Sequence, residues 1–329
     1  MRLRPRPLPL ALTALALAAG CSRPAARPGA PAAEVSWASP RLRDHPLVGR
    51  IWDVQGRRFV EEAALDAALS RADLVLLGEA HDNRDHHQLQ ARALRALTAA
   101  GRRPALAFEM LDRDQQPAVD AALAARPPTP EGLRDAVAWD QSGWPPFAHY
   151  RPVFEAGLSA GLPIVAANLP RGLMRRVVHE GADALPAEVR ARLDQAGPLA
   201  PEQAQALREE MAASHCGMLP ERMMAPMVTA QRARDAQLAA TLLQAGAGRG
   251  AALITGAEHA RRDRGVPSYL PADAKVVSVA FREVWPELED PAAEGHIPYD
   301  YVVFTPAAER EDPCEGLRKQ LDAHEARGP

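Results

Sequence analysis

Two turns of this 329-residue chain share one design, Gly78-Glu79-Ala80-His81 and Gly256-Ala257-Glu258-His259. Each follows a short apolar run, and each sets a histidine three residues beyond a glycine. A glycine lets the backbone turn sharply without a side-chain clash. The imidazole is then held at the end of the strand, where an open parallel sheet places its ligands. Glu109 and Asn168 close two further apolar runs, on what should be the same edge. Two imidazoles with Glu79 and Glu109 suit a divalent transition metal such as Zn, Mn or Fe. The same four residues, His81, His259, Glu79 and Glu109, could instead do acid–base work on a bound water.

The elements that must position these groups alternate along the chain. Leu74 to Leu77, Ala105 to Phe108, Ile164 to Ala167 and Ala251 to Thr255 read as strands buried on both faces. Ile51 to Val54 reads as a first short strand, and 276–281 and 301–304 as later ones. Helical periodicity fills the intervals at 63–70, 83–100, 113–124, 147–160 and 229–243. The expected fold is α/β, a mainly parallel sheet flanked by helices. The interval 172–227 holds no strand-like run and is expected to be a helical insertion or lid. The domain is expected to span 45–305, with a polar, frayed tail over 306–329.

Each motif also has a purely structural reading. Asn83 or Asp82 can cap the helix that follows, and His86 and His87 lie in its first turn as packing or surface residues. Glu109 can pair with an arginine. Arg261, Arg262 and Arg264 after His259, and Arg171, Arg175 and Arg176 after Asn168, fit either exposed helix faces or a bidentate grip on ligand carboxylates. Five of the eight methionines fall between Met211 and Met227, as core filling or as an adaptable surface for a flat apolar ligand. Ser214-His215-Cys216-Gly217 lies within that stretch. No phosphate-binding loop or nucleophile elbow occurs.

Composition is ordinary for a globular core, with 47% hydrophobic and 25% charged residues and only 5% aromatic ones. A net charge of −3 argues against general nucleic-acid binding, which relies on clustered Lys and Arg. At the amino end, Arg2, Arg4 and Arg6 precede an apolar core over 8–19, too short to span a bilayer. Ala18-Ala19-Gly20-Cys21 resembles a bacterial lipobox. Residues 1–20 are thus expected to be a lipoprotein signal peptide, Cys21 the lipidated first residue, and 21–44 a flexible Pro/Ala/Arg linker. That places the protein in the bacterial envelope, anchored by lipid at the outer membrane and facing the periplasm. The remaining cysteines, Cys216 and Cys314, leave a disulfide and free thiols both open.

The segments HPLVGRIWD, LVLLGEAHDNRDHHQLQ, AFEMLDRDQQP, PIVAANLPR, SHCGMLP with AQRARDAQLA, and GAEHARRDRGVP run in order over about 45–267. Together they resemble the ChaN family of iron-regulated, haem-binding lipoproteins, within the wider Tiki superfamily. Where such chains often read GNGH, this one has Gly256-Ala257-Glu258-His259. The resemblance implies haem as cofactor, a homodimer, and an outer-membrane haem receptor as partner. It makes His215, Tyr150, His149 and Cys216 candidate iron donors, with Met218 and Arg261 beside the porphyrin. The superfamily also contains metal-dependent peptidases and hydrolases, which would select Glu79, His81, Glu109 and His259 as catalytic and metal-binding residues. The chain is therefore read as a haem-binding envelope lipoprotein of iron uptake. A metal-dependent hydrolase and a non-catalytic envelope interaction protein stand as the alternatives.

Overall fold

The computed structural model describes residues 36–312, 314–316 and 318; the expected signal peptide and Cys21 lie outside them. Eight strands form one sheet: β1 (Ile51–Asp53), β2 (Arg58–Val60), β3 (Leu74–Glu79), β4 (Ala105–Asp112), β5 (Ile164–Asn168), β6 (Ala251–Gly256), β7 (Val276–Glu283) and β8 (Tyr301–Thr305). Their order is β2-β1-β8-β7-β3-β6-β4-β5. The run from β8 to β5 is parallel throughout, and β1 pairs antiparallel with both β2 and β8. The helices are α1 (Glu62–Arg71), α2 (Arg84–Ala99), α3 (Gln116–Leu123), α4 (Pro130–Ala136), α5 (Phe147–Ser159), α6 (Arg171–Glu180), α7 (Ala187–Ala196), α8 (Pro201–Ser214), α9 (Glu221–Gly246) and α10 (Ala257–Ala260). The expected α/β architecture with a mainly parallel sheet is the one found.

The apolar runs are continuous because the sheet is covered on both faces. Successive side chains of a strand point to opposite faces, and the core divides accordingly. Val75 and Leu77 of β3, with Leu106 and Phe108 of β4, pack against Leu65, Leu94, Val153 and Phe154 on the face covered by α1, α2 and α5. Leu74 and Leu76, with Ala105 and Ala107, pack against Ala233, Ala236, Leu238 and Leu242 of α9 on the other face. The alanines let the 26-residue α9 lie close to the sheet.

Four boundaries differ from expectation. Glu109 does not end its strand: β4 continues to Asp112 through an irregularity in its pairing with β5. The helical interval has no boundary at 227, because α9 runs unbroken from Glu221 across Pro226 into the core. The compact unit begins at Trp37, not at His45. The Asp85 carboxylate accepts from the amides of Ala38 (2.7 Å) and Ser39 (2.9 Å), which pins the end of the expected linker. The tail is not frayed just after Pro306. Ala307 bridges to Arg41, Ala307 and Ala308 are buried, and Arg310 pairs with Asp82 and Glu283.

Candidate functional site at the carboxyl edge of the sheet

The turn after β3 is built by close approach. A Cβ on Gly78 would lie 2.9 Å from Ala257 Cα, so only glycine lets β3 pass α10 at this distance. Glu79 then points inward, fully buried. Its Oε1 accepts from Tyr150 OH (2.7 Å) and pairs with His81 Nδ1 (2.9 Å). His87 Nδ1 lies 2.9 Å from Oε2, but out of line, so Oε2 accepts no hydrogen bond. Gln90 gives its amide hydrogen to Leu77 O, which turns Gln90 Oε1 toward His87 Nδ1 (3.2 Å). His87 Nε2 meets His81 O (3.0 Å). With acceptors at both nitrogens, His87 is held as a cation; burial disfavours the charge, and Glu79 overrides it and raises the pKa. Burial pushes Glu79 the opposite way, yet His87 and His81 bring it down to about 2.

His86, its sequence neighbour, is a different case. The Ala80 amide donates to His86 Nδ1 (2.8 Å), which leaves the proton on Nε2, facing Thr305 Oγ1 (2.9 Å). Burial lowers its pKa to about 4 and keeps it neutral. Asn83 caps α2 by accepting from the Asp85 amide.

A second cluster centres on Glu109. Its Oε2 accepts from Thr255 Oγ1 (2.7 Å) and from the Gly256 amide (2.8 Å). Its Oε1 pairs with Arg234 and lies 3.4 Å from His259 Nε2. His259 Nδ1 meets Asp235 Oδ1 at 2.6 Å. Burial opposes a charged imidazole there, but Glu109 and Asp235 outweigh it and raise His259 to about 9. Arg234 and His259 thus balance two buried carboxylates. Asn168 supports the set by accepting from Arg234 Nε (3.3 Å).

His81 joins the two clusters, its Nε2 3.9 Å from Glu109 Oε2. A Cβ on Gly256 would sit 2.9 Å from that nitrogen, so Gly256 leaves the space His81 fills. His81 is the exposed member, with 31% of its side chain accessible against 5% or less for Glu79, Glu109, Asp235 and His259. Trp144 flanks it at 4.9 Å between ring centroids. The chemistry available at the surface is therefore proton transfer at His81, with buried carboxylates behind it. The four expected ligands converge, but as partners of one another. Among the described residues no group of three or more His, Cys, Asp or Glu side chains could hold a metal ion.

Of the remaining candidates, Tyr150 and His149 adjoin the first cluster. Tyr150 is fully buried, its hydroxyl donated to Glu79 and its ring 4.0 Å from that of His87. His149 Nε2 accepts from Arg84 (3.0 Å). Arg261 is held bidentately by Asp263, at 3.0 and 2.8 Å, and is not free to grip a ligand carboxylate. Cys216 is no thiolate donor because it is bonded to Cys314. His215, at the end of α8, directs Nδ1 to Met211 O (2.8 Å) and Ser214 Oγ (3.1 Å). It borders a small apolar cluster of Leu207, Met211 and Met224, with Met227 and Leu219 against it, separate from the two main cores. Met218 is half-buried in the same turn.

Sequence reasoning missed Arg234 and Asp235. They come from α9, more than 100 residues from Glu109, and the signal was the run AQRARDAQLA, which puts adjacent charges into an otherwise small-residue helix. Tyr150 was singled out, but for iron rather than for Glu79.

No curated protein matches the chain. Among solved structures, one of cofacial haem binding to ChaN of Campylobacter jejuni superposes with a TM-score of 0.59 at 22% identity, covering 77% of this chain and 95% of that one. The type III effector HopBA1 superposes with a TM-score of 0.43 at 15% identity, over 74% and 91% of the two chains. The family model described as haem-binding uptake, Tiki superfamily, ChaN matches residues 65–270. That span runs from α1 through β3, the Glu109 cluster, the His215 turn and His259, and so takes in every cluster described above. The chain belongs to this haem-binding uptake family.

Proposed function

We propose that this protein binds haem at the α8–α9 turn and serves haem or iron uptake from a lipid anchor at Cys21. One observation carries the reading beyond the family match. His215 Nδ1 is engaged by a backbone carbonyl, which fixes the proton there and leaves the Nε2 lone pair for a metal. The donor is bonded to Met211 O, and Met211 packs with Met224 and Met227, flexible apolar side chains that can cover a porphyrin face. A haem iron accepts a single histidine, and the residues present fit it. When bound, the iron would supply a one-electron redox centre. His215 would hold it, and the methionines would exclude water from the ring.

His149 and Tyr150 are the weaker donors, since each is already engaged, with Arg84 and Glu79 respectively. Haemin titration of the purified protein, run beside elemental analysis, tests the reading. Saturation at a fixed ratio with a shifted Soret band supports it. Linear, unsaturable uptake contradicts it. Cys21→Ser should move the protein from the membrane to the soluble fraction, and a protein that is soluble without the substitution would sink the anchor. Envelope location, an outer-membrane receptor and a homodimer belong to the same proposal.

A second reading rests on His81. An accessible imidazole backed by Glu79 and facing Glu109 is poised for general acid–base work in a hydrolase. Loss of a hydrolytic activity on His81→Ala, with haem binding intact, would favour this reading over the first.

A further inference from the structure

We infer that the Cys216–Cys314 disulfide is a redox-sensitive clamp on His215, so that a dithiol reductant releases the haem-binding turn. The inference rests on the haem reading given above.

Cys216 follows His215 directly and has a φ of +57°, a left-handed conformation uncommon for a residue with a side chain. The turn is short. Cys216 N donates to Ala213 O (2.9 Å), Gly217 N to Ala212 O (2.8 Å) and Met218 N to His215 O (2.9 Å). Its apolar support is the small cluster around Met211 and Met224, not the main core. The covalent bond crosses 98 residues to Cys314. Cys314 belongs to the tail fastened by Arg310 to Asp82 and Glu283, and by the Ala308 amide to Glu283 Oε1 (3.0 Å). The clamp thus ties the His215 turn to the segment beside Asn83, next to the His81 turn. Both cysteines are only half-buried, within reach of a reductant.

Release is an ordinary exchange. A thiolate of the dithiol attacks one sulfur, the Cys216–Cys314 bond breaks through a mixed disulfide, and the second thiol closes the reductant's own ring. The chain gains two electrons and two protons as two thiols, and the reductant loses the same. His215 then keeps its bond to Met211 O but loses the covalent restraint on the residue after it. His215 is the donor in this scheme, and the disulfide is a positioning device.

The test compares three forms of the full mature chain. They are the disulfide form, the same protein reduced with dithiothreitol and desalted under nitrogen, and the C216S/C314S double variant. Haemin affinity and Soret maximum are measured, together with amide hydrogen exchange of the haem-free protein over 212–218. The inference predicts at least tenfold weaker haemin binding and at least tenfold faster exchange in that turn for both clamp-free forms, with β3 exchange unchanged. Equal affinity, spectrum and turn exchange in all three forms would overturn it. If no form binds haemin, the haem reading fails, and the exchange data alone then judge the clamp. Should C216S/C314S not fold by circular dichroism, the reduced wild type decides.

Discussion

At the scale of single residues, the carboxyl edge is a charge-balanced interior with one accessible member. Glu109 meets Arg234, His259, Thr255 and Gly256 at once, so removing its charge leaves the half-buried Arg234 without its carboxylate and the buried His259 with Asp235 alone. Breaking a buried pair from one side costs about 3–5 kcal/mol, and Glu109→Gln should lower the urea-unfolding free energy by that order. The pH dependence has a definite sign. His259 rises from an ordinary 6.5 to about 9, so its stabilisation is complete below pH 6.5 and disappears as pH climbs through about 9. Glu109 is held well below 4.5, and its contribution disappears only in acid. Unfolding free energy should therefore fall between pH 6.5 and 9, and His259→Gln should flatten that decline. An unchanged slope in the variant would show that other groups carry it. Asp235→Asn should lower the His259 pKa, read by NMR titration of the imidazole.

At the scale of elements, two glycines set the distances. Gly256→Ala would drive a Cβ to 2.9 Å from His81 Nε2. We expect His81 to swing outward and lose its contact with Glu79, visible as a fall in its imidazole pKa toward the free value. The same elements divide what the sequence disclosed from what it hid. The apolar runs of β3, β4, β5 and β6 were legible because burial on both faces leaves no polar interruption, and their ends located Glu79, Glu109, His81 and His259. Glu109 was placed at a strand end, whereas β4 runs three residues further, because a pairing irregularity has no hydrophobic signature. Arg234 and Asp235 were hidden for a different reason. Arg234 projects from α9 to the Glu109 carboxylate on β4 and Asp235 to His259 on α10, and no local period encodes contacts across those separations. The length of α9 was also hidden, because Pro226 lies inside it. Proline removes one backbone donor, and the remaining bonds of a 26-residue helix packed on the sheet hold it together.

At the scale of the molecule, the described chain closes on itself at both ends. The residues just after Trp37 bind Asp85, and the tail binds Asp82, Glu283 and Cys216. The frayed tail expected from its polarity becomes a strap because Arg310 finds two carboxylates at once. In the chain-entropy model a loop of this size contributes about 4–5 kcal/mol, so C216S/C314S should lower the melting temperature as well as loosen the His215 turn. A loss of unfolding free energy far below that figure would mean that the Arg310 contacts hold the tail without the covalent bond. Eight strands, two faces of core and the helical segment over α6–α8 thus leave one small apolar cluster outside the main packing, at His215.

The central claim is that His215 donates to haem iron at that cluster. It is tested most directly by equilibrium haemin titration of wild type and His215→Ala, followed at the Soret band. The account predicts saturation at a fixed ratio for wild type. For the variant it predicts a displaced Soret maximum and affinity reduced at least tenfold, with unchanged circular dichroism. Identical spectra and affinities in the two proteins would contradict it.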